Sequence, residues 1–510
     1  MALSEVNPAQ YIHIGPPEGK PDDGSVRVPV TLQTTDVLIS PVLPPGIASF
    51  KSIISAPCGS DVPNWRDPKD PSYVRTRLPR DLRDSAKRDR ALARMGSWGV
   101  RSPGSLIDTA GTHEAAGIVT EFNPEPDAEK AQLPIAGYYP KIEGNRITGL
   151  EYGVQGMDTN NLKTGGLAIS LASDRCRTHL TQVNPATGFP DACPRDDKDG
   201  HEEKMVPGRA HELPGHLVNT EKGLLFPSRL LVGAPPETEK WVQERPQNLF
   251  LLSQVEPLSC WQEALRKELP NPDGVKTVLL IGDGLNTALG VLYMKYAFPD
   301  AKFVVVGRTD KKLDVIAKAA PGRVKTIKTE DFTPNNGYHY VERELMGDKF
   351  DLVIPTIHVD TLKPFDNITK PDGGVIIWAA GQTDEDHRHV FKGVGDENRL
   401  HASYGNVAGS EFVAMQFFDA LVRYDRDALN SVAEYPFWIA ESLEDAVGPL
   451  GKLLSTGKFS TRLGDELRPT SRKVLIKTAP AEVANLYDHG NTGMVYSAGM
   501  PPSGSMGLEG

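Results

Sequence analysis

Lys276-Thr277-Val278-Leu279-Leu280-Ile281-Gly282-Asp283-Gly284 is the stretch that decides the fold. Its apolar centre reads as a short strand buried on both faces, and the glycines break it before residues 285–297 resume with helical composition. A second apolar run, Phe303-Val304-Val305-Val306, arrives at Gly307-Arg308-Thr309. The pattern predicts a β-α-β unit with a glycine turn at the carboxyl end of its first strand. Such a turn aims backbone N–H groups and a helix N-terminus at one point, where a pyrophosphate can be held. The expected ligand is a dinucleotide, contacted by Gly282, Gly284, Leu285, Asn286 and Thr287.

The glycine fingerprint is incomplete, because Thr287 stands where a third glycine is usual and Gly290 comes one helical turn later. A β-α-β unit whose glycines only tighten a turn would look similar locally. The end of the second strand bears on which dinucleotide is bound. NAD(H) sites commonly place a carboxylate there for the ribose hydroxyls, whereas a 2′-phosphate calls for its absence and a nearby cation. Gly307, Arg308 and Thr309, followed by Lys311 and Lys312, predict NADP(H) over NAD(H). Arg308 as a solvated loop cation is the alternative.

At 510 residues the chain is long enough for two domains, each with its own core. A formal charge of −11, with no basic stripe, argues against a nucleic-acid partner. No apolar run approaches bilayer-spanning length, and Met1-Ala2-Leu3-Ser4-Glu5 lacks the basic and apolar regions of a secretory leader, so a cytoplasmic location without membrane attachment is expected. Cys58, Cys176, Cys193 and Cys260 are widely spread, which fits a reducing compartment.

Outward from the central unit, residues 26–32, 36–39 and 52–55 have the composition of short strands. Residues 64–110 are polar, rich in Arg, Asp and Pro, and read as an insertion. Residues 111–119 form a turn leading into a strand, and 121–250 alternate short apolar pieces with loops, without a long helical pattern. From residue 253 strands and helices alternate, with further strands at 350–354 and 374–378. Helical periodicity returns at 412–424 and 442–455, and a last strand is expected at 473–477. The Gly-, Ser-, Met- and Pro-rich tail, 491–510, is expected to be disordered.

The order of motifs resembles the medium-chain dehydrogenase/reductase family, the zinc alcohol and polyol dehydrogenases. The resemblance rests on Cys58-Gly59-Ser60-Asp61, His113-Glu114-Ala115-Ala116-Gly117, Glu256-Pro257-Leu258-Ser259-Cys260 and the dinucleotide unit. It implies a Rossmann doubly wound parallel sheet (256–406) beside an irregular β-rich, GroES-like catalytic domain (1–255, with insertions 64–110 and 121–250, completed by 407–490). A homodimer or homotetramer is implied by the same analogy. The chain departs from the family in three ways: His113 follows Cys58 at an unusually long separation, the four-cysteine structural zinc cluster is missing, and Pro63 replaces a proton-relaying histidine.

Hydride transfer at an alcohol carbon requires the charge on its oxygen to be controlled, which a zinc ion with three protein ligands and one open position can do. The resemblance makes Cys58 and His113 the first two ligands, with Glu114 or Glu256, ahead of Cys260, as the third. Ser60 would bond the substrate oxygen and pass its proton outward, and Asp61 would orient the ligands. Glu114 holding a loop, Glu256 capping a helix and Cys260 as a packed thiol are the alternatives. His201, His211 and His216 read as solvated loop histidines. The expected activity is NADP(H)-dependent, zinc-assisted interconversion of an alcohol with a ketone or aldehyde. Competing readings are a same-fold enzyme using nicotinamide transiently or not at all for elimination or epimerisation, and a non-catalytic nucleotide-binding protein.

Overall fold

A computed structural model describes residues 4–14, 29–57, 89, 92–93, 95–101, 112, 114–126, 134–156, 160–171, 183–184, 189–190, 215–268, 274–328, 349–356, 370, 375–378, 400–402, 410–456, 460–463, 466–469 and 473–488. The amino-terminal half is built of strands β1 (Glu5–Ile14), β2 (Val30–Ile39), β3 (Ile47–Ala56), β4 (Glu114–Asn123), β5 (Pro134–Glu143), β6 (Arg146–Gly156), β7 (Leu167–Ser170), β8 (Val183–Asn184), β9 (Phe189–Pro190), β10 (Val218–Thr220), β11 (Leu224–Pro227) and β12 (Leu231–Gly233). Helices α1 (Pro236–Gln243), α2 (Pro246–Leu252) and α3 (Val255–Glu268) follow. The middle alternates: β13 (Thr277–Ile281), α4 (Leu285–Ala297), β14 (Lys302–Gly307), α5 (Asp310–Ala319), β15 (Val324–Lys328), β16 (Leu352–Pro355), β17 (Val375–Trp378) and β18 (Leu400–Ala402). The chain then runs through α6 (Ser410–Tyr424), α7 (Arg426–Ala433), β19 (Trp438–Ala440), α8 (Leu443–Thr456), β20 (Ser460–Leu463), β21 (Glu466–Pro469), β22 (Val474–Lys477) and α9 (Pro480–Asp488).

Six strands form a parallel sheet in the order β15-β14-β13-β16-β17-β18. The order reverses direction between β13 and β16, the doubly wound arrangement in which ligands sit beyond the carboxyl ends of the strands at the reversal. Continuous apolar runs make this possible: Val278 through Ile281 are all buried, as a strand covered on both faces requires. Helix α4 is buried along most of its length, from Leu285 to Met294. Gly290 lets α3 come close to it, since a Cβ there would lie 2.6 Å from the Trp261 ring. The glycine one turn late for the fingerprint therefore serves helix packing.

A second sheet, β12-β7-β4-β3-β22-β19 with β11 also paired to β3, joins the amino-terminal strands to two from near the carboxyl end. A smaller sheet, β10-β1-β2, and the strand pairs β5-β6, β8-β9 and β20-β21 account for the other described strands. The two strands expected at 26–32 and 36–39 meet in one element, β2 (Val30–Ile39), with 26–28 outside the described residues. Segment 407–490 divides between the layers: α6 packs on α3 and α7 on α5, beside the parallel sheet, while β19 and β22 enter the second sheet. One contiguous apolar core reaches from Ile53, Ala116 and Ile169 to Val278, Leu280 and Phe412, binding both sheets together.

Two expectations meet a different structure. The stretch 121–250, read as short apolar pieces and loops without a long helical pattern, ends in two short helices, α1 and α2, each with a proline at its first turn, where the missing N–H costs no helical bond. The polar stretch 64–110 contributes Met95, Trp98 and Val100 to a buried cluster with Ile39 and Phe226. Their apolar area outweighs the polar composition around them. The tail 491–510 lies outside the described residues. Among the described residues no helix is long and apolar enough to cross a membrane.

Candidate functional site

The glycine turn sits at the carboxyl edge of the parallel sheet, at the reversal of strand order. Gly282 has φ 126°, a conformation that favours glycine, and its N–H donates to the Val306 carbonyl at 2.8 Å. Gly284 is the N-cap of α4. A Cβ built on it would meet no atom within 4 Å, so the space over the helix N-terminus is open. Leu285 is buried and Asn286 exposed at the start of the helix.

Thr287 is fully buried, and its hydroxyl lies 2.8 Å from that of Thr356, immediately after β16. Thr356 donates to the Ile281 carbonyl at 3.1 Å, so Thr287 is the donor between the two hydroxyls. The side chain that replaces the third glycine is thus satisfied by a partner on the neighbouring strand.

Asp283, between the two glycines, ties the turn to the end of β14. Its Oδ2 accepts the backbone N–H groups of Arg308 at 2.9 Å and Thr309 at 2.8 Å. Lys312, predicted to face the cofactor, is only 3 % exposed, and its Nζ lies 4.0 Å from Asp283 Oδ1. The ammonium also sits 5.8 Å from the centre of the Tyr435 ring. Tyr435 donates its hydroxyl to the Asp283 carbonyl at 3.2 Å. Burial, reinforced by the Asp283 charge, pushes the Tyr435 phenol upward, so it stays a neutral donor. Gly307 ends β14, and Arg308 and Thr309 are exposed beside it.

On the second sheet, β3 and β4 run antiparallel with Ala56 opposite Glu114. The chain reaches Cys58 two residues after Ala56, and His113 immediately precedes Glu114. Cys58, Ser60, Asp61, Pro63 and His113 themselves lie outside the described residues, as do Cys176, Cys193, His201 and His211. Ser55 bonds the Thr112 hydroxyl and donates to the Glu114 carbonyl at 3.2 Å, fixing the two strand ends to each other.

Glu114 is 1 % exposed, and its Oε2 forms an ion pair with Lys473 Nζ at 2.6 Å. Lys473 also donates to the Pro57 carbonyl at 3.2 Å. Lys473, which no motif marks, therefore bridges the residue before Cys58 and the residue after His113.

Glu256 is buried in the first turn of α3. The Cys260 thiol, one turn on, donates to Glu256 Oε1 at 3.7 Å. These two candidate ligands share a helix face. Among the described residues no three His, Cys, Asp or Glu side chains converge as a metal site. His216 corrects the reading of a solvated histidine: it is 1 % exposed, with ring centres of Phe50 and Phe226 at 5.7 and 5.5 Å and its backbone N–H bonded to the Thr112 carbonyl. The hydrophobic residues around it, Leu217, Val218, Leu224 and Phe226, draw the segment into the core.

Asp283, Thr356, Tyr435 and Lys473 are the site residues that sequence reasoning missed. Asp283 lay within the quoted motif, and its position between two glycines at a strand end was the available signal. The other three carry none, because tertiary folding alone brings them to the site.

No family model matches the sequence, and no curated protein matches it. Solved structures do. An alcohol dehydrogenase from Thermotoga maritima aligns at 13 % identity over 93 % of this chain and 100 % of its own, with a TM-score of 0.53. A second Thermotoga maritima protein, also described as an alcohol dehydrogenase, gives 16 % identity over 93 % and 100 %, with a TM-score of 0.50. The protein AibC gives 15 % identity over 92 % and 96 %, also at 0.50. The likeness is one of architecture: the chain shares with these proteins a Rossmann-type, doubly wound parallel sheet joined to an irregular GroES-like β domain.

Proposed function

We propose that the chain is an oxidoreductase that uses a nicotinamide dinucleotide to interconvert a small-molecule alcohol with a ketone or aldehyde. The observation that carries this is the open turn at Gly284, placed where the order of the parallel sheet reverses. A pyrophosphate there would meet the N-terminus of α4, whose N–H groups and dipole favour an anion. The names of the Thermotoga maritima neighbours support the reaction class.

Zinc belongs to this reading. Cys58 and His113 offer thiolate and imidazole, the donors that zinc prefers, and Ala56 opposite Glu114 supports bringing these two chain positions together. Glu256 and Cys260 offer a carboxylate and a thiol from one helix face, while Glu114 is already paired with Lys473. The third ligand is accordingly drawn from Glu114, Glu256 or Cys260. When bound, zinc supplies a Lewis acid for the substrate oxygen. Ser60 would hold that oxygen's proton and pass it outward, and Lys473 keeps the strand ends in place.

Two observations bear on the form of the cofactor. Arg308 and Lys311 are exposed and could meet a 2′-phosphate, which supports NADP(H). Asp283, with its carboxylate at the end of β14, supports NAD(H). Following NADH and NADPH absorbance with a panel of aldehydes, ketones and polyols tests the reaction. Substrate-dependent change in absorbance is expected with one cofactor. Dinucleotide binding without net redox on any substrate would overturn the proposal and favour epimerisation, elimination or nucleotide sensing.

A further inference from the structure

We infer that Asp283 is the residue that reads the adenosine ribose, and that it makes this chain select NAD(H) over NADP(H). The inference rests on the dinucleotide reading of the glycine turn and specifies its ligand. In the common arrangement the ribose-binding carboxylate belongs to the residue that ends the second strand. That residue is Gly307, whose lack of a side chain gave the sequence-based expectation of NADP(H).

The structure gives a different reason for the glycine. A Cβ on residue 307 would lie 2.6 Å from the Asp283 Cβ and 3.2 Å from its Cγ. The volume that a carboxylate-bearing side chain at 307 would enter is already filled by a carboxylate-bearing side chain from the turn. The acid has changed its place in the chain and kept its place in space. Gly307 and Asp283 are a matched pair, each compatible with the site because of the other.

The bonding of Asp283 determines what it can receive. Oδ2 is committed to the N–H groups of Arg308 and Thr309, which fixes the plane of the carboxylate. Oδ1 retains acceptor capacity for the 2′- and 3′-hydroxyls of a ribose, both of which can donate. The Asp283 side chain keeps 13 % of its surface exposed, so it is partly desolvated, and a hydrogen bond to it is correspondingly stronger than one in water.

A 2′-phosphate brings only acceptor oxygens and negative charge to the same place. It would approach a carboxylate without a donor, and it would find the two turn N–H groups already used. Of the cations that suggested NADP(H), Lys312 is turned inward to Asp283 and the Tyr435 ring. Arg308 and Lys311 remain exposed, where solvent and salt weaken their pull on a phosphate. The balance favours the ribose hydroxyls.

Direct titration of NADH and NADPH against the full chain tests this without relying on turnover. Wild type should bind NADH at least tenfold more tightly than NADPH. Asp283→Asn retains an acceptor of the same shape but removes the charge. It should weaken NADH about tenfold, in keeping with the loss of hydrogen bonds to a charged group, and leave NADPH unchanged or tighter. A purely structural role for Asp283 would weaken both dinucleotides alike and leave their ratio where it was, which would overturn the assignment. NADPH binding as tight as NADH in wild type would overturn it even if the variant failed to fold. Binding of neither would refute the dinucleotide reading, a result distinct from a reversed preference.

Discussion

Lys473 and Glu114 show what a single residue contributes at this site. A carboxylate that is 1 % exposed is costly to bury without a counter-charge, and Glu114 pairs with Lys473 at 2.6 Å. Lys473→Met should destabilise the fold by about 3–5 kcal/mol, the usual cost of leaving one buried charge of a pair uncompensated. Lys473→Arg should restore most of it. Urea unfolding of the three proteins measures this, and a Met variant as stable as wild type would show that Glu114 is compensated elsewhere. At Gly307 the constraint is steric, since a methyl group there would press on the Asp283 Cβ at 2.6 Å. Gly307→Ala should cost about 1–3 kcal/mol, the range for overpacking, and Asp283→Gly in the same chain should recover part of that loss, as contact pairs do. A fully stable Gly307→Ala would mean that the turn yields freely. The legible residues of the turn were those with a local signature: Gly282 and Gly284 break an apolar strand. Lys473 and Thr356 act through partners hundreds or tens of positions away, and no local pattern reports such a pairing.

β13, β14, β16 and β17 of the parallel sheet were legible because each is an apolar run between turns, as burial on both faces demands, whereas β15, Val324-Lys325-Thr326-Ile327-Lys328, and β18, Leu400-His401-Ala402, lack such a run and were not. α1 and α2 were not, because helices of 8 and 7 residues are too short to show a long helical period. What holds the strands in register at the edge away from the glycine turn is also invisible in the pattern. Asp351, just before β16, accepts the N–H groups of Lys276 and Thr277 and the Thr277 hydroxyl, each at 2.9 Å, and pairs with Lys370. Burial, the largest single influence, pushes its carboxyl upward, but Lys370 and these hydrogen bonds together outweigh burial and hold it below the usual carboxylate range. A group whose folded value is depressed contributes stability above its unfolded pKa, about 3.9, and loses it as pH falls through the lower folded value. Asp351→Asn should therefore be less stable than wild type by roughly 1–3 kcal/mol near neutral pH, the range for hydrogen bonds to charged groups. The gap should shrink only below the ordinary carboxylate range. A gap that is constant down to strongly acidic pH would show that the charge contributes nothing.

At the scale of the whole molecule, chain order and spatial order diverge. β22 and β19, both near the carboxyl end, extend a sheet otherwise made of amino-terminal strands, with β22 between β3 and β19. Lys473 immediately precedes it, and so the entry of β22 into the sheet is what carries that lysine to Pro57 and Glu114. In the proposed reading the two halves of the site start from different sheets: the glycine turn belongs to the parallel sheet, and the expected metal ligands Cys58 and His113 adjoin in sequence the ends of β3 and β4. Separate construction implies separable function. If the metal reading holds, the isolated protein should contain about one zinc per chain by elemental analysis, as a catalytic site requires. Cys58→Ala should then lose zinc and turnover together, yet bind the dinucleotide as wild type does, because the turn at Gly282 and Gly284 takes its geometry from the parallel sheet. Cofactor titration beside metal analysis on the same samples distinguishes the outcomes. A Cys58→Ala protein that keeps both its zinc and its activity would remove Cys58 from the ligand set. Loss of dinucleotide binding along with the metal would show that the two layers, which share one core from Ile53 to Leu280, are coupled more tightly than their separate sheets imply.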